Sequence, residues 1–135
     1  MAAEVALQTP NKQIYCFDGD GAVLMQLGAL ATIGKYCPRN FYHIIFDNGA
    51  YDSTGGQPTV SSTVNFDKIA LSVGYSSAKT VETKENLIEE IEGTKQIAGP
   101  NMIIVKVNKG ARKDLGRPTT TPKENKEAFM AFLKK

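Results

Sequence analysis

The sequence predicts an α/β domain of three layers, with helices on both faces of a mostly parallel sheet. Three observations predict it. Short apolar runs at Gln13–Phe17, Phe41–Phe46 and Met102–Val107 are rich in β-branched and aromatic residues and alternate with stretches of helical period, the pattern of repeated strand–helix units. The first two runs each lead into a loop carrying glycine and an acid or amide, Gly19-Asp20-Gly21 and Asp47-Asn48-Gly49, as strands of an open α/β sheet do at their carboxyl ends. At 135 residues and 41% hydrophobic content the chain is one domain, residues 1–135, long enough to bury a sizeable core.

Taken in order, Met1–Leu7 consists of good helix formers without a preceding cap, and Thr9-Pro10-Asn11-Lys12 ends it; it reads as the tail of a helix. Gln13–Phe17 is the first strand. Val23–Tyr36 is expected to be one helix, with Val23, Leu24, Leu27, Leu30, Ala31 and Gly34 near helical spacing. Gly28 and Gly34 each cost that helix about 1 kcal/mol relative to Ala, so they predict close packing against backbone. Cys37-Pro38-Arg39-Asn40 breaks it, and Phe41–Phe46 is a buried strand in which His43 reads as a packed or edge histidine rather than a catalytic one.

Asn48–Thr63 has no periodicity and is rich in Gly, Ser, Thr and Pro, the composition of a long functional loop. Asn65 caps a short helix carrying Phe66, Ile69, Ala70 and Val73, closed by Gly74. A brief strand follows at Ala78–Val81, then a helix capped by Thr83 with Leu87, Ile88 and Ile91 inward, finished by Gly99-Pro100. The loop Asn108–Arg117, after the last strand, carries Lys109, Arg112, Lys113 and Arg117; it is either a solvated loop or an anion-binding one for a phosphate or phosphonate. Thr121-Pro122-Lys123-Glu124 is a capping box with Pro at the first helical position, opening a helix that presents Ala128, Phe129, Phe132 and Leu133 on one side.

Charge and composition exclude several classes. A net charge of +2 gives no case for nucleic acid or an anionic membrane. No apolar run approaches a membrane span, and Met1–Leu7 lacks the basic and apolar regions of a signal peptide, so the chain reads as cytoplasmic. Cys16 and Cys37 have no neighbouring thiol in sequence and are expected to be reduced.

The chemistry concentrates at the two glycine-bearing loops. If their strands are parallel neighbours, Asp20 and Asn48 open on one rim, and a carboxylate and an amide carbonyl there are hard oxygen ligands of the type Mg²⁺ takes beside phosphate oxygens. Gly-Asp-Gly followed one helix–strand unit later by Asn resembles the cofactor motif of thiamine diphosphate enzymes. Many members end that motif in two Asn residues; here the first is Asp47.

Cys16-Phe-Asp-Gly-Asp-Gly-Ala22, Asp47-Asn-Gly-Ala-Tyr-Asp-Ser-Thr-Gly-Gly-Gln-Pro-Thr59 and Arg112-Lys-Asp-Leu-Gly-Arg-Pro-Thr-Thr-Thr-Pro122 together resemble the carboxyl-terminal, diphosphate-binding domain of the phosphonopyruvate decarboxylase family. The resemblance spans nearly the whole chain and implies a thiamine diphosphate-binding fold that lacks the first strand and helix of its relatives. It implies that thiamine diphosphate and Mg²⁺ are the cofactors, with Mg²⁺ on Asp20, Asn48 and the main-chain carbonyl of Ala50, and with Gly19, Gly21, Ala22 and Tyr51 completing the cofactor site. No catalytic residue is implied within this chain, because the activating glutamate belongs to a separate pyrimidine-binding domain or subunit. The implied reaction is decarboxylation of 3-phosphonopyruvate, a small 2-oxo acid, to phosphonoacetaldehyde in phosphonate biosynthesis, by an enzyme that forms homo-oligomers when complete. The alternatives are the β subunit of sulfopyruvate decarboxylase and a non-catalytic diphosphate-binding module.

Overall fold

The computed structural model describes residues 1–134. Four strands form one parallel sheet in the order β1 (Ile14–Gly19), β2 (Phe41–Asp47), β6 (Asn101–Lys106), β5 (Ser77–Val81). The expected parallel pairing of the first two strands is present, with Ile14 opposite Phe41 and Gly19 opposite Phe46.

Helices cover the two faces unequally. On one face α2 (Asp20–Met25), α3 (Gly28–Tyr36) and α4 (Phe66–Ser72) enclose Val23, Leu30, Ile45, Phe66, Ala70, Tyr75, Met102 and Ile104. On the other, α5 (Lys84–Thr94) packs Leu87 and Ile91 onto Ile44, Val81, Ile103 and Val105. α1 (Ala2–Gln8) lies beside β1, where Asn40 Nδ2 stands within hydrogen-bond distance of the carbonyls of Ala6, Thr9 and Lys12 and so ties the end of that helix and the turn after it to the start of β2.

The single helix expected over Val23–Tyr36 is two. The first starts at Asp20 and stops at Met25, and i→i−3 bonds from Gln26, Ala29 and Leu30 tighten the chain between the two. Gly34 is needed as predicted: a Cβ there would lie 1.8 Å from the Val73 carbonyl oxygen at the end of α4. Gly28 is not, since a Cβ would meet nothing within 4 Å; it begins the second helix instead.

The aperiodic stretch after Asn48 is better ordered than its composition predicts. Ala50–Tyr51 (β3) and Gln57–Pro58 (β4) pair antiparallel, with 3₁₀ turns at Asp52–Thr54 and Ser61–Thr63. Glycines supply the bends, with φ of +68° at Gly49, +121° at Gly55 and +72° at Gly56, conformations costly for other residues. The capping boundaries are found where expected: Asn65, Thr83 and Thr121 each accept from a backbone N–H of their helix, and Glu124 completes the box at α6 (Pro122–Leu133). The apolar side of α6 is not buried, however; Phe129 and Phe132 are exposed, and Phe132 carries the Lys12 ammonium 5.2 Å from its ring centre.

Candidate cofactor site at the sheet rim

Parallel pairing brings the two predicted loops to one rim, because Gly19, the last residue of β1, stands opposite Phe46, one residue before the end of β2. Gly19 is the last residue of β1 and Asp20 the first of α2, so the chain turns from strand to helix without a loop between. Asp20 is 1% exposed. Its Oδ2 accepts the Thr59 hydroxyl at 2.5 Å, and among the described residues no Lys, Arg or His pairs with it. A buried carboxylate without a counter-charge is costly, and a cation beside it removes that cost.

Asn48 is held from both ends of its amide. Its Oδ1 accepts from the Ala50 N–H at 3.0 Å and its Nδ2 donates to Asp52 Oδ2 at 2.8 Å, which fixes which end of the amide is the oxygen. A carbonyl oxygen has a second lone pair, so Oδ1 keeps one for a cation. Asp52 also accepts from the Gly110 N–H at 2.9 Å, and Lys109 donates to the Gly56 carbonyl. The basic loop is therefore clamped onto the hairpin that carries Asn48.

Tyr51 closes the rim over α2. A Cβ at Gly21 would lie 2.5 Å from the Tyr51 ring, so only glycine allows this approach. Asp47 stands one residue before Asn48, buried, and bonds Lys106 at 2.5 Å across the β2–β6 pair. Burial works to raise its pKa, but hydrogen bonds from Lys106, Ser61 and the Gly49 N–H outweigh it and hold the carboxyl below its ordinary range.

The predicted residues Gly19, Asp20, Gly21, Ala22, Asn48, Ala50 and Tyr51 thus converge on one rim, with Ala22 in the first turn of α2 and Ala50 starting β3. Sequence reasoning missed Thr59 and Asp52 as members of this site. Both lie inside the aperiodic loop, where nothing in spacing distinguishes one polar residue from the next. It also missed the grouping of Cys16, Asp18 and His43 on the neighbouring inner face, although two-residue alternation along β1 and the Cys16–His43 register place them together.

Residues 1–105 match the family described as thiamine pyrophosphate enzyme, C-terminal TPP binding domain. The chain belongs to that family. Within it, the chain is 40% identical over 129 residues to phosphonopyruvate decarboxylase of Streptomyces viridochromogenes, an overlap of 96% of this chain and 32% of the relative. The chain is 34% identical over 125 residues to the β subunit of sulfopyruvate decarboxylase of Methanococcus maripaludis, an overlap of 93% of this chain and 66% of that subunit. The chain thus spans about a third of the phosphonopyruvate decarboxylases it matches. Among solved structures, a thiamine diphosphate-dependent 4-hydroxybenzoylformate decarboxylase of Rhodococcus jostii RHA1 superposes with a TM-score of 0.68 at 22% identity, covering 81% of this chain and 22% of that one, which supports the fold. Among the described residues no helix is long and apolar enough to cross a membrane.

Proposed function

We propose that this chain is the Mg²⁺- and diphosphate-binding part of a thiamine diphosphate-dependent decarboxylase that converts 3-phosphonopyruvate to phosphonoacetaldehyde and CO₂. The observation that carries the reading is Asp20: a buried carboxylate that pairs with no Lys, Arg or His among the described residues, at a rim shared with the oriented amide of Asn48. Residues 1–135 are then one partial domain, and the rest of the active site comes from a pyrimidine-binding domain or subunit in a homo-oligomeric, cytoplasmic enzyme of phosphonate biosynthesis.

Each residue has a role in that reading. Asp20, Asn48 and the Ala50 carbonyl hold Mg²⁺, hard oxygens for a hard cation. Gly19, Gly21 and Ala22 offer backbone to the diphosphate at the start of α2, and the absence of a side chain at Gly21 leaves Tyr51 room to pack there. Thr59 orients the Asp20 carboxylate, and Asp52 orients the Asn48 amide. The bound cofactor supplies the electron sink that decarboxylation of a 2-oxo acid requires. Lys109, Arg112, Lys113 and Arg117 stand on a loop tied to the Asn48 hairpin, where cations pair with the substrate's phosphonate.

The split-subunit relatives favour a second reading, the β subunit of a sulfopyruvate decarboxylase, because one of them matches most of this chain as a separate polypeptide. The two readings separate by substrate when a pyrimidine-binding domain is supplied in trans. Calorimetry tests the common core first: thiamine diphosphate is expected to bind only with Mg²⁺, more tightly than ADP, and Asp20→Ala is expected to abolish it, with Asn48→Ala weaker in the same direction. Equal binding of ADP would leave a general diphosphate-binding module, and unchanged affinity in Asp20→Ala would remove the site.

A further inference from the structure

Away from the rim, the inner face of β1 and β2 carries a second group of donors that the cofactor reading does not use. Cys16 Sγ, Asp18 Oδ2 and His43 Nε2 all lie within 4.8 Å of one another. Cys16 and Asp18 point the same way because they are two residues apart on β1, and His43 is the partner of Cys16 across the parallel pair. Sγ is 3.7 Å from Asp18 Oδ2, and Nε2 is 2.9 Å from the same oxygen. The group borders a cleft of about 800 Å³ between the sheet, α1 and α3.

We propose that Cys16, Asp18 and His43 form a metal site, separate from the Mg²⁺ site, that takes a borderline-soft divalent ion of the zinc class, with the cleft supplying the fourth ligand as water. Zinc bonds of about 2.0–2.3 Å at tetrahedral angles separate ligand atoms by about 3.3–3.6 Å. The observed separations bracket those values, so shifts of a few tenths of an ångström at Asp18, and a closer approach of Cys16 to His43, complete the seat.

The charges also balance. A thiolate and a carboxylate neutralise a divalent ion, and His43 joins as the neutral ring. Without metal, Nε2 carries the hydrogen it donates to ionised Asp18. On binding, that hydrogen moves to Nδ1, which lies 3.2 Å from the hydroxyl oxygen of buried Tyr75 and so has an acceptor that orients the ring. The Cys16 thiol proton leaves to solvent. Burial and the neighbouring Asp18 push that thiol up to about 11, so the apparent affinity at neutral pH is lowered by the proton displaced. The thiol ligand also selects against Mg²⁺, which prefers oxygen.

The test is titration of the chelator-treated chain with Co²⁺, followed by competition with Zn²⁺. A saturable one-to-one complex is expected, with sulfur-to-cobalt absorption in the near ultraviolet and tetrahedral bands in the visible, displaced by Zn²⁺ and not by Mg²⁺. Cys16→Ser is expected to abolish the near-ultraviolet band and weaken binding about 100-fold; being half-exposed, this position tolerates the change better than buried His43. Tyr75→Phe keeps the packed ring and is expected to weaken binding about 10- to 100-fold through loss of the second-shell partner. Asp20→Ala is expected to leave the sulfur-to-cobalt band and its titration midpoint unchanged, which separates this site from the cofactor site. Absence of a sulfur band in the wild-type complex, equal affinity in Cys16→Ser, or no binding below millimolar metal would each overturn the proposal.

Discussion

β2 and β6 run through the middle of the sheet and are buried along almost their whole length, whereas β1, at its edge, alternates half-buried and exposed residues. The difference is written in residue type. Ile44 and Ile45 face opposite layers and both are buried, as are Ile103 and Ile104. In β1, Ile14, Cys16 and Asp18 face inward while Tyr15 and Phe17 face a surface that α5 does not reach; Phe17 is 63% exposed and leans on the half-exposed Phe46. Strands covered on both faces need continuous apolar runs, and a strand covered on one face needs only alternation. The cofactor rim joins both kinds of strand: Asn48 leaves the covered one and Asp20 the edge one.

The largest effect is expected in the covered half. Ile104 is 1% exposed and touches the core between the sheet and α2–α4. Ile104→Ala leaves a cavity there and is expected to cost about 2–5 kcal/mol of stability, measured by urea unfolding. A loss below about 1 kcal/mol would mean that this half relaxes as readily as the edge.

A middle effect is expected where the covered strands end. Asp47→Asn keeps the shape and an acceptor for Gly49 but removes the charge that Lys106 pairs with, and is expected to cost about 1–2 kcal/mol at neutral pH. The pH dependence has a definite sign. The folded-state carboxyl titrates below the unfolded value of about 3.9. Its stabilisation is therefore fully present above that value and is lost as pH falls through the folded one. Stabilities of wild type and Asp47→Asn should converge as the pH is lowered through and below about 4. A gap that stays constant with pH would assign the effect to packing instead.

How much of this was legible in the sequence follows the same division. The covered strands, the caps at Asn65, Thr83 and Thr121, and the convergence of Asp20 with Asn48 were readable because each rests on local spacing or on one pairing assumption. The break between α2 and α3 was not, because apolar residues continue in helical register across it, at Val23, Leu27 and Leu30, while the hydrogen bonds tighten to i→i−3. The hairpin of β3 and β4 was hidden for a different reason: it is two residues deep, and glycine conformations with Asp52 bonds hold it rather than a hydrophobic pattern. The exposed apolar side of α6 escaped for the opposite reason, since amphipathic period predicts a face without showing what lies against it.

The smallest effect is expected at the edge. Phe17 points away from both cores; its ring leans on Phe46, at 5.9 Å between centres, and that ring is itself 41% exposed. Phe17→Ser removes this contact but no enclosed volume, so water fills the place at little cost. The substitution also lowers apolar exposure on a face that self-associates readily if it is left wet. A stability change within about 0.5 kcal/mol is therefore expected, together with equal or lower self-association in sedimentation at high protein concentration. A loss approaching that of Ile104→Ala would show that a layer in solution covers this face of β1 as completely as α5 covers β6.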